Sequence, residues 1–284
     1  SASISYNSGQ PICSNTGNYN PTITGTNGGT FTSTPSGLTI SSNGIINSGT
    51  SSPGTYTVTY TITANGGCPV FTTTTTVVIS SVGNVTISTD KPGNTVCFGS
   101  NITLTASPSG MQYSWSTGDI TNPITNNNLP VGTNNVSVTV TNSSGCTRIG
   151  NINVIVNAIP PAPNISASKA NPLCTGENVS LMANGTGNFI WTGPNGFNSN
   201  QQNPTLTNLT LNNEGAYNCK ITVNSCTSIE SSLFLEVNET PNITNIVQSN
   251  SITTCGGCEG VISINGLQSN TLYTIAYSKN GNPQ

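Results

Sequence analysis

The feature that most constrains the fold of this chain is an internal repeat. Three segments each contain a glycine followed 14, 14 or 11 residues later by a cysteine, here called the late cysteine. Each segment also has an early cysteine, which precedes the late one by 55, 49 or 52 residues. The early and late cysteines are Cys13 and Cys68, Cys97 and Cys146, and Cys174 and Cys226. This spacing predicts three copies of one structural unit.

The second and third copies share more than their cysteines. The segment 97–106 matches the segment 174–183 nearly position for position. Trp115 and Trp191 follow the early cysteines at 18 and 17 residues. Because the two tryptophans occupy equivalent places in the two copies, we expect them to pack in the cores and not to stack on a sugar.

Alternating residue types predict β-strands. The segment 55–62 alternates threonine with tyrosine, valine and isoleucine, which is the pattern of a strand with one buried and one solvated face. Threonine and valine are β-branched and suit a pleated sheet. Similar runs occur at 136–141 and 217–223, each followed closely by a late cysteine.

Linkers rich in serine, glycine or proline separate the copies, and proline removes a backbone donor that a continuous sheet would need. Short strands between turn signals predict an all-β chain of small antiparallel β-sandwiches, arranged like beads on a string. The predicted domains are 1–81, 82–157, 158–239 and 240–284, the last being the first part of a further β-rich repeat.

Composition excludes several classes of protein. Only 5% of the residues are charged, with 5 Lys or Arg against 8 Asp or Glu, and histidine is absent. Long helices and nucleic-acid binding both need more charge than this. Without histidine, the commonest general base and metal ligand are missing. No apolar run approaches the roughly 20 residues of a membrane helix. We therefore expect a non-enzymatic protein with no catalytic residue, metal or cofactor.

The cysteines are expected to form disulfides in an oxidising compartment outside the cell. A repeat of about 80 residues in a chain that is only 33% hydrophobic buries little apolar surface. Closing a loop of roughly 50 residues with a disulfide stabilises such a unit by about 4 kcal/mol. We therefore predict one bond inside each repeat: Cys13–Cys68, Cys97–Cys146 and Cys174–Cys226.

Other candidate sites are weaker. The eight acids are not spaced as in a calcium-binding loop. Phe197, in a turn, is a candidate for contact with carbohydrate. Cys255 and Cys258 are followed by a strand-like segment, whereas a redox motif opens a helix. These two cysteines either bridge each other, or one pairs with a partner beyond Gln284. Four lysines are candidates for an isopeptide bond to asparagine: Lys91, Lys169, Lys220 and Lys279.

A family resemblance rests on particular residues. In the second repeat they are Cys97-x-Gly99, Ile102-x-Leu104-x-Ala106, Tyr113-Ser-Trp115 and Gly145-Cys146. In the third they are Cys174-x-Gly176, the segment 191–197 and Gly215-x-Tyr217; in the first, the segments 21–31 and 53–60. With these residues the chain resembles the immunoglobulin-like and PKD-like modules of giant cell-surface adhesins of Bacteroidota. These are the SprB-type gliding-motility adhesins, which the type IX secretion system exports.

The resemblance implies tandem immunoglobulin-like sandwiches, the second of them also PKD-like. Tyr217-Asn218-Cys219 has the pattern of the F strand in such a module, where the usual partner of the cysteine lies on strand B. That partner would fall near Ala183, which is not a cysteine. Cys219 is therefore expected to be a buried free thiol.

The resemblance also implies a function: a non-enzymatic spacer segment of a long secreted adhesin that serves surface attachment or gliding motility. The chain begins and ends in strand-like sequence, so we expect an interior piece of a protein attached to the outer membrane through other regions. Its expected partners are neighbouring repeats and either surface glycans or another surface protein, without nucleic acid or membrane insertion. Two alternatives remain open, namely carbohydrate-binding modules of a secreted polysaccharide-degrading enzyme and a subunit of a surface filament.

Overall fold

The fold is described from a computed structural model, which describes residues 1–64, 67–240, 245–248, 262–265, 278–279 and 282–283. These residues form strands and turns, with four short 3-10 turns at Asn7–Gly9, Pro92–Asn94, Pro194–Gly196 and Leu211–Asn213 and no α-helix. The chain divides into two compact units, Ser1–Ala158 and Ile159–Gln284. No helix in the described ranges has the length and apolar character needed to cross a membrane.

The first repeat, in unit 1, contains eight strands. They are β1 (Ala2–Ser5), β2 (Ile12–Cys13), β3 (Asn18–Tyr19), β4 (Thr22–Gly25), β5 (Thr30–Thr34), β6 (Ile46–Asn47), β7 (Gly54–Ile62) and β8 (Phe71–Ser80). One sheet has the order β2-β8-β7-β5, with β2 parallel to β8 and the other pairs antiparallel. β1 pairs with β4 and β3 pairs with β6, both antiparallel.

The second repeat, also in unit 1, contains seven strands. They are β9 (Thr86–Thr89), β10 (Thr95–Cys97), β11 (Ile102–Ser107), β12 (Gln112–Trp115), β13 (Ile124–Asn126), β14 (Gly132–Thr141) and β15 (Thr147–Asn157). The sheets have the orders β10-β15-β14-β12 and β13-β11-β9. Here too the short strand β10 is parallel to the last strand, β15, whereas the other pairs are antiparallel.

The third repeat, in unit 2, contains ten strands, several of them short. They are β16 (Ile165–Ala167), β17 (Leu173–Cys174), β18 (Val179–Ala183), β19 (Asn188–Gly193), β20 (Phe197–Ser199), β21 (Thr205–Leu206), β22 (Gly215–Val223), β23 (Cys226–Thr227), β24 (Ser231–Leu235) and β25 (Val237–Asn238). β20, β19 and β22 form one sheet with β23 and β24, and β16, β18 and β21 form another. β17 is parallel to β25.

Four short strands are described in the segment 240–284. β26 (Asn245–Gln248) pairs with β27 (Ile262–Asn265), and β28 (Ser278–Lys279) pairs with β29 (Asn282–Pro283), both antiparallel. Cys255 and Cys258 lie outside the described residues, so the expectations for them stay predictions.

Each repeat has a hydrophobic core of its own. The first core draws on residues from Ile4 to Ile79, the second on residues from Val82 to Val156 and the third on residues from Leu173 to Val237. The period-two pattern produces these cores directly, since in β7 the tyrosines and Val58 are buried while the threonines between them lie on the other face. The prediction of an all-β chain of immunoglobulin-like sandwiches is confirmed. The expected domain boundary near residue 81 falls between the first two cores and remains a prediction.

The two tryptophans lie in the cores, as their equivalent places in the repeat predicted. Trp115 is 3% exposed and Trp191 is fully buried. Each indole donates its Nε1 hydrogen to a main-chain carbonyl oxygen, Trp115 to Thr121 at 2.8 Å and Trp191 to Gln202 at 3.3 Å. A buried indole with its one donor satisfied contributes packing at little polar cost.

The glycine that defines the repeat opens a corner in the chain. The residue two positions after this glycine donates a side-chain hydrogen bond to a main-chain carbonyl oxygen. The accepting residue lies four positions before the donor. Tyr56 Oη donates to Ser52 at 2.7 Å, Tyr217 Oη to Asn213 at 3.0 Å and Asn134 Nδ2 to Pro130 at 2.8 Å. Such a tyrosine corner is typical of immunoglobulin-like sandwiches. The backbone of Gly215 has a φ of +138°, which favours glycine at this corner.

Removing the corner hydroxyl tests its contribution to stability. Tyr56→Phe and Tyr217→Phe are each expected to lower the free energy of unfolding by about 1 kcal/mol, because a partly buried hydrogen bond is lost and its carbonyl is left without that donor. Thermal denaturation followed by circular dichroism measures the effect. The control is Tyr19→Phe, since the Tyr19 hydroxyl contacts only the exposed Thr16 Oγ1 at 2.9 Å. An equal loss in all three variants would contradict a special role for the corner.

Candidate functional site

The candidate site is the junction between the first and second repeats, where a disulfide joins Cys13 to Cys146. Their Cα atoms are 5.4 Å apart and their sequence separation is 133 residues. The sulfur of Cys13 comes from the first repeat, yet its side chain packs against the core of the second. The bond therefore links two consecutive repeats instead of closing a loop inside either.

The structure contradicts the predicted pairs Cys13–Cys68 and Cys97–Cys146. Cys13 lies opposite Ser80, the last residue of β8, whereas Cys68 precedes the first residue of that strand. Ten residues of strand place the two cysteines about 30 Å apart at roughly 3.3 Å per residue. A disulfide needs Cα atoms within about 7 Å. The early and late cysteines of one repeat therefore lie too far apart to bond.

The early and late cysteines are separated in the same way in the second and third repeats. Cys97 lies opposite Asn157 at the end of β15, and Cys146 directly precedes the start of that strand. Cys174 lies opposite Asn238 at the end of β25, whereas Cys226 opens β23 in the hairpin after β22. The predicted pair Cys174–Cys226 is wrong for the same reason, and Cys174 is a free thiol.

The position of Cys13 is fixed by β2 and β8. Because β2 is parallel to β8, it ends where the chain leaves the first repeat. The next residue, Ser14, donates its backbone hydrogen to the carbonyl oxygen of Ser80 at 2.9 Å. This bond continues the parallel pairing for one more residue and holds Cys13 at the boundary between the repeats.

The position of Cys146 is fixed by Asn142. The Asn142 side-chain oxygen accepts hydrogen bonds from the backbone of Ser144 and Cys146, both at 3.0 Å. Its amide nitrogen donates to Ser80 Oγ of the first repeat at 2.9 Å. One side chain thus shapes the hairpin between β14 and β15 and also joins it to the preceding repeat.

The peptide linker at the junction is also packed. Val82 is 6% exposed and belongs to the core of the second repeat. The backbone of Gly83 donates to Ser81 Oγ at 3.1 Å, and the Arg148 guanidinium donates to Asn84 Oδ1 at 3.5 Å. The linker was expected to be a short separator between repeats. It is held instead by apolar burial and by hydrogen bonds.

A cleft of about 510 Å³ lies beside the disulfide. Its walls come from the segment after Cys13, from the linker and from the hairpin of Cys146, and Arg148 is the charged residue among them. Among the described residues, no group of three His, Cys, Asp or Glu side chains is arranged to hold a metal ion. The chemistry of this site is therefore that of a covalent and packed connection between repeats.

The remaining cysteines differ in state. Cys97 and Cys226 are disulfide-bonded. Cys68 is an exposed free thiol, and Cys174 is a half-buried one. Cys219 is a free thiol at 0% exposure in the core of the third repeat, which also contains Ala183. Burial raises the pKa of Cys219 to about 11, so its thiol stays protonated near neutral pH.

The other candidate residues are engaged in local contacts. Lys91 pairs with Asp90 at 3.1 Å, Lys169 with Glu177 at 2.8 Å and Lys220 with Glu230 at 2.8 Å. These pairs are largely exposed and contribute little to stability. Lys279, the fourth isopeptide candidate, lies in β28, and nothing is described of its side chain.

The pKa of the Asp90 carboxyl is lowered, mainly by the hydrogen bond from the Thr103 backbone. Phe197 is half-buried and packs edge-on against Tyr217 with ring centroids 5.4 Å apart. Its ring is therefore partly used in packing within the third repeat.

No protein-family model matches the chain, and no curated protein matches it significantly. Among solved structures, it is similar to murine CEACAM1b, at 13% identity over 55% of this chain and 100% of that one, with a TM-score of 0.32. It is also similar to the N-terminal eight Ig domains of Down Syndrome Cell Adhesion Molecule, at 12% identity over 87% of this chain and 38% of that one, with a TM-score of 0.38.

A third similar structure is that of domains A168–A170 of titin, at 12% identity over 83% of this chain and 98% of that one, with a TM-score of 0.30. These values are too low to place the chain with any one of these proteins. Its immunoglobulin-like character rests on the strand orders and on the corner hydrogen bonds described above.

Replacing both cysteines of the junction tests its contribution to stability. The double variant Cys13→Ser, Cys146→Ser is expected to lose about 2–5 kcal/mol of unfolding free energy, because the unfolded chain is no longer constrained by a loop of this length. Denaturant unfolding measures the loss. The control is Cys68→Ser, which removes an exposed free thiol and is expected to leave the midpoint unchanged. Equal midpoints for both variants would contradict a stabilising junction.

Thiol alkylation tests the assigned states of the cysteines. In the native, non-reduced chain at mildly alkaline pH, iodoacetamide is expected to modify Cys68 fast and to spare Cys219, because alkylation needs an accessible thiolate. Mass spectrometry of the digest measures both sites. Unfolding in denaturant should expose Cys219 to the reagent, which controls for its intrinsic reactivity. Rapid modification of Cys219 in the native chain would contradict its burial.

Proposed function

We propose that this chain is a structural spacer segment of a long extracellular adhesin, and that the linked junction stiffens it. The observation that carries the proposal is the Cys13–Cys146 bond together with the buried linker residue Val82. A flexible linker would let consecutive repeats reorient, since relative motion is the default for domains with small interfaces. A second covalent connection and a packed linker oppose that motion.

The bond also changes how the chain carries a load. A pull on the two ends of unit 1 reaches Cys13 and crosses to Cys146 through the sulfur atoms, so the residues between them are bypassed. Unfolding either repeat then releases little chain while the bond is intact. This behaviour suits a segment that holds a binding region at a distance from the cell.

The resemblance to SprB-type adhesins of Bacteroidota supplies the finer part of the proposal. We infer export by type IX secretion, attachment to the outer membrane through regions outside this chain, and a role in surface attachment or gliding motility. Neighbouring repeats are the immediate partners, and surface glycans or another cell-surface protein are the proposed ligands of the whole adhesin. Disulfides support a location in an oxidising compartment.

Low charge is consistent with such a spacer. With 13 charged residues in 284, the stability of the repeats is expected to depend weakly on salt, because little of it comes from screened ion pairs. The solvated faces of the sheets are rich in threonine, serine and asparagine, which are hydrated without long side chains, although Ile149, Ile190 and Phe234 are also exposed there.

Single-molecule force spectroscopy of the full chain tests the proposal. Adding a reductant is expected to lengthen the fully extended chain by at least about 450 Å, because the Cys13–Cys146 bond spans 133 residues and each extended residue adds roughly 3.4 Å. The double variant Cys13→Ser, Cys146→Ser keeps the disulfide bond of Cys97, so it should show only part of this gain without reductant, and Cys219→Ser should show none. An unchanged length after reduction would refute the mechanical role.

A glycan array separates the spacer from the carbohydrate-binding alternative. The isolated chain is expected to show no dose-dependent binding, because Phe197, the aromatic candidate for sugar contact, is partly covered by Tyr217. Saturable binding that is lost in Phe197→Ala, while the melting midpoint is retained, would favour the carbohydrate-binding alternative instead.

A further inference from the structure

The largest sheet of the first repeat carries a regular array of threonines on its solvated face. Strands β5, β7 and β8 lie side by side and antiparallel, and their register places three threonines of each strand in three rows. The rows are Thr30, Thr61 and Thr72; Thr32, Thr59 and Thr74; and Thr34, Thr57 and Thr76. We call these nine residues the threonine grid. Seven of them are exposed, and Thr59 and Thr61 are half-buried.

The grid has two repeat distances, which follow from the geometry of a sheet. Threonines on neighbouring strands are about 4.8 Å apart, and successive grid threonines of one strand, two residues apart, are separated by about 6.8 Å. A β-branched side chain has a restricted χ1 angle. The grid therefore presents hydroxyl and methyl groups at regular positions and with little side-chain freedom.

The hydroxyls of the grid are open to a ligand. Within the described part of the chain, none of the nine makes a hydrogen bond to another protein group. The corresponding face of the second repeat is different, because Asn135 Nδ2 donates there to Asn153 Oδ1 at 2.9 Å. Ile149 and Ile155 also interrupt the polar residues of that face. The immunoglobulin-like fold therefore does not require such a grid, which is a particular property of the first repeat.

Charge and residue type narrow the choice of ligand. No Asp, Glu, Lys or Arg precedes Asp90, so the first repeat has no charged side chain. A partner bound through complementary charge, such as a nucleic acid or an anionic surface, is therefore disfavoured. The solvated positions of β5, β7 and β8 carry no aromatic residue that could stack on a sugar. Protein partners are also disfavoured, because Trp, Tyr and Arg supply most binding energy in protein interfaces and threonine rarely does.

We propose that the threonine grid binds crystalline water, that is, the surface of ice. Ice is uncharged, presents only hydrogen-bond donors and acceptors, and has lattice repeats on its prism faces close to the two distances of the grid. Its water molecules are already immobilised, so a threonine hydroxyl that joins the lattice does not have to order a mobile water. The methyl groups are removed from liquid water at the same time, which is favourable.

The sheet makes the nine weak contacts act together. Their positions are fixed by the backbone pairing of three strands, so binding orders little of the protein. Each contact that forms also holds the others near the crystal. Because neighbouring strands are rotated by about 20–25° relative to one another, a flat crystal face lies closest to the middle of the grid. Thr59, the central residue of the middle row and of the middle strand, is therefore expected to matter most.

Partitioning into growing ice tests the proposal on the full chain with its disulfides intact. The solution is frozen slowly onto a cooled probe, and tryptophan fluorescence measures the protein in the ice and in the remaining liquid. We expect the unchanged chain to be enriched in the ice. Thr59→Tyr should lose this enrichment, because a ring at the centre holds the other rows away from the crystal, although tyrosine suits a strand. Thr59→Val removes only the hydroxyl and should lower the incorporated fraction.

The matched control is Ser137→Tyr. Ser137 holds the same place in β14 as Thr59 holds in β7, since each follows the corner glycine of its repeat, Gly132 or Gly54, by five residues. This variant should enter the ice like the unchanged chain, and thermal melting verifies that every variant is folded. Exclusion of the unchanged chain from the ice would overturn the proposal, as would equal incorporation of Thr59→Tyr and Ser137→Tyr.

A different crystalline ligand would overturn the proposal too. If the chain is excluded from ice but sediments with crystalline cellulose or chitin, and Thr59→Tyr abolishes that sedimentation, the grid binds a polysaccharide surface instead. The inference goes beyond the spacer function and does not rest on it. The force experiment measures the Cys13–Cys146 bond, whereas ice partitioning measures the grid, so either proposal can fail while the other holds.

Discussion

In each repeat, a strand of two or three residues pairs in parallel with the last strand. This pairing determines where the early cysteine lies and therefore which cysteines can bond. That pairing places the early cysteine where the chain leaves the repeat. The late cysteine lies in a hairpin later in the sequence, at the opposite end of the same repeat. An antiparallel sandwich about 30 Å long then keeps the two sulfurs of one repeat apart. The early and late cysteines of one repeat therefore cannot bond to each other, and in unit 1 the Cys13–Cys146 bond joins one repeat to the next.

Each repeat must therefore hold its fold with packing and hydrogen bonds. The first repeat contains no disulfide between its own residues, since Cys13 bonds to the second repeat and Cys68 is free. Its core is built around Tyr56, Val58 and Tyr60, and the two tyrosine hydroxyls donate to main-chain carbonyls. The expectation that a repeat of this size needs an internal crosslink underestimated large aromatic side chains, which bury much surface each.

The sequence predicted the strands, the cores and the places of the two tryptophans, because a period of two and an equivalent position in the repeat are direct consequences of the fold. It did not predict which cysteines meet. A separation of about 50 residues between Cys97 and Cys146 says nothing about which end of a sandwich each occupies. The usable signal was the place of each cysteine relative to the strands, since Cys146 directly precedes the last strand β15, whereas Cys97 ends the short strand β10 near the start of the repeat.

The role of Asn142 at the junction could also not be predicted from the sequence. Asparagine is one of the commonest residues in this chain, so a single one carries no signal, and its importance comes from contacts with Ser80 across the junction. The buried Val82 was missed for a similar reason, because a lone valine between serine and glycine has the pattern of a loop. Both residues act through tertiary contacts, which local patterns do not encode.

The packed and bonded junction gives the chain two covalent routes between its first two repeats. One route is the backbone through Ser81 and Val82, and the other passes through the sulfur atoms of Cys13 and Cys146. If a protease cuts the peptide linker, the two repeats stay attached through the second route. A proteolytic nick at Ser81 or Val82 would thus leave both repeats in one covalent molecule until the disulfide is reduced.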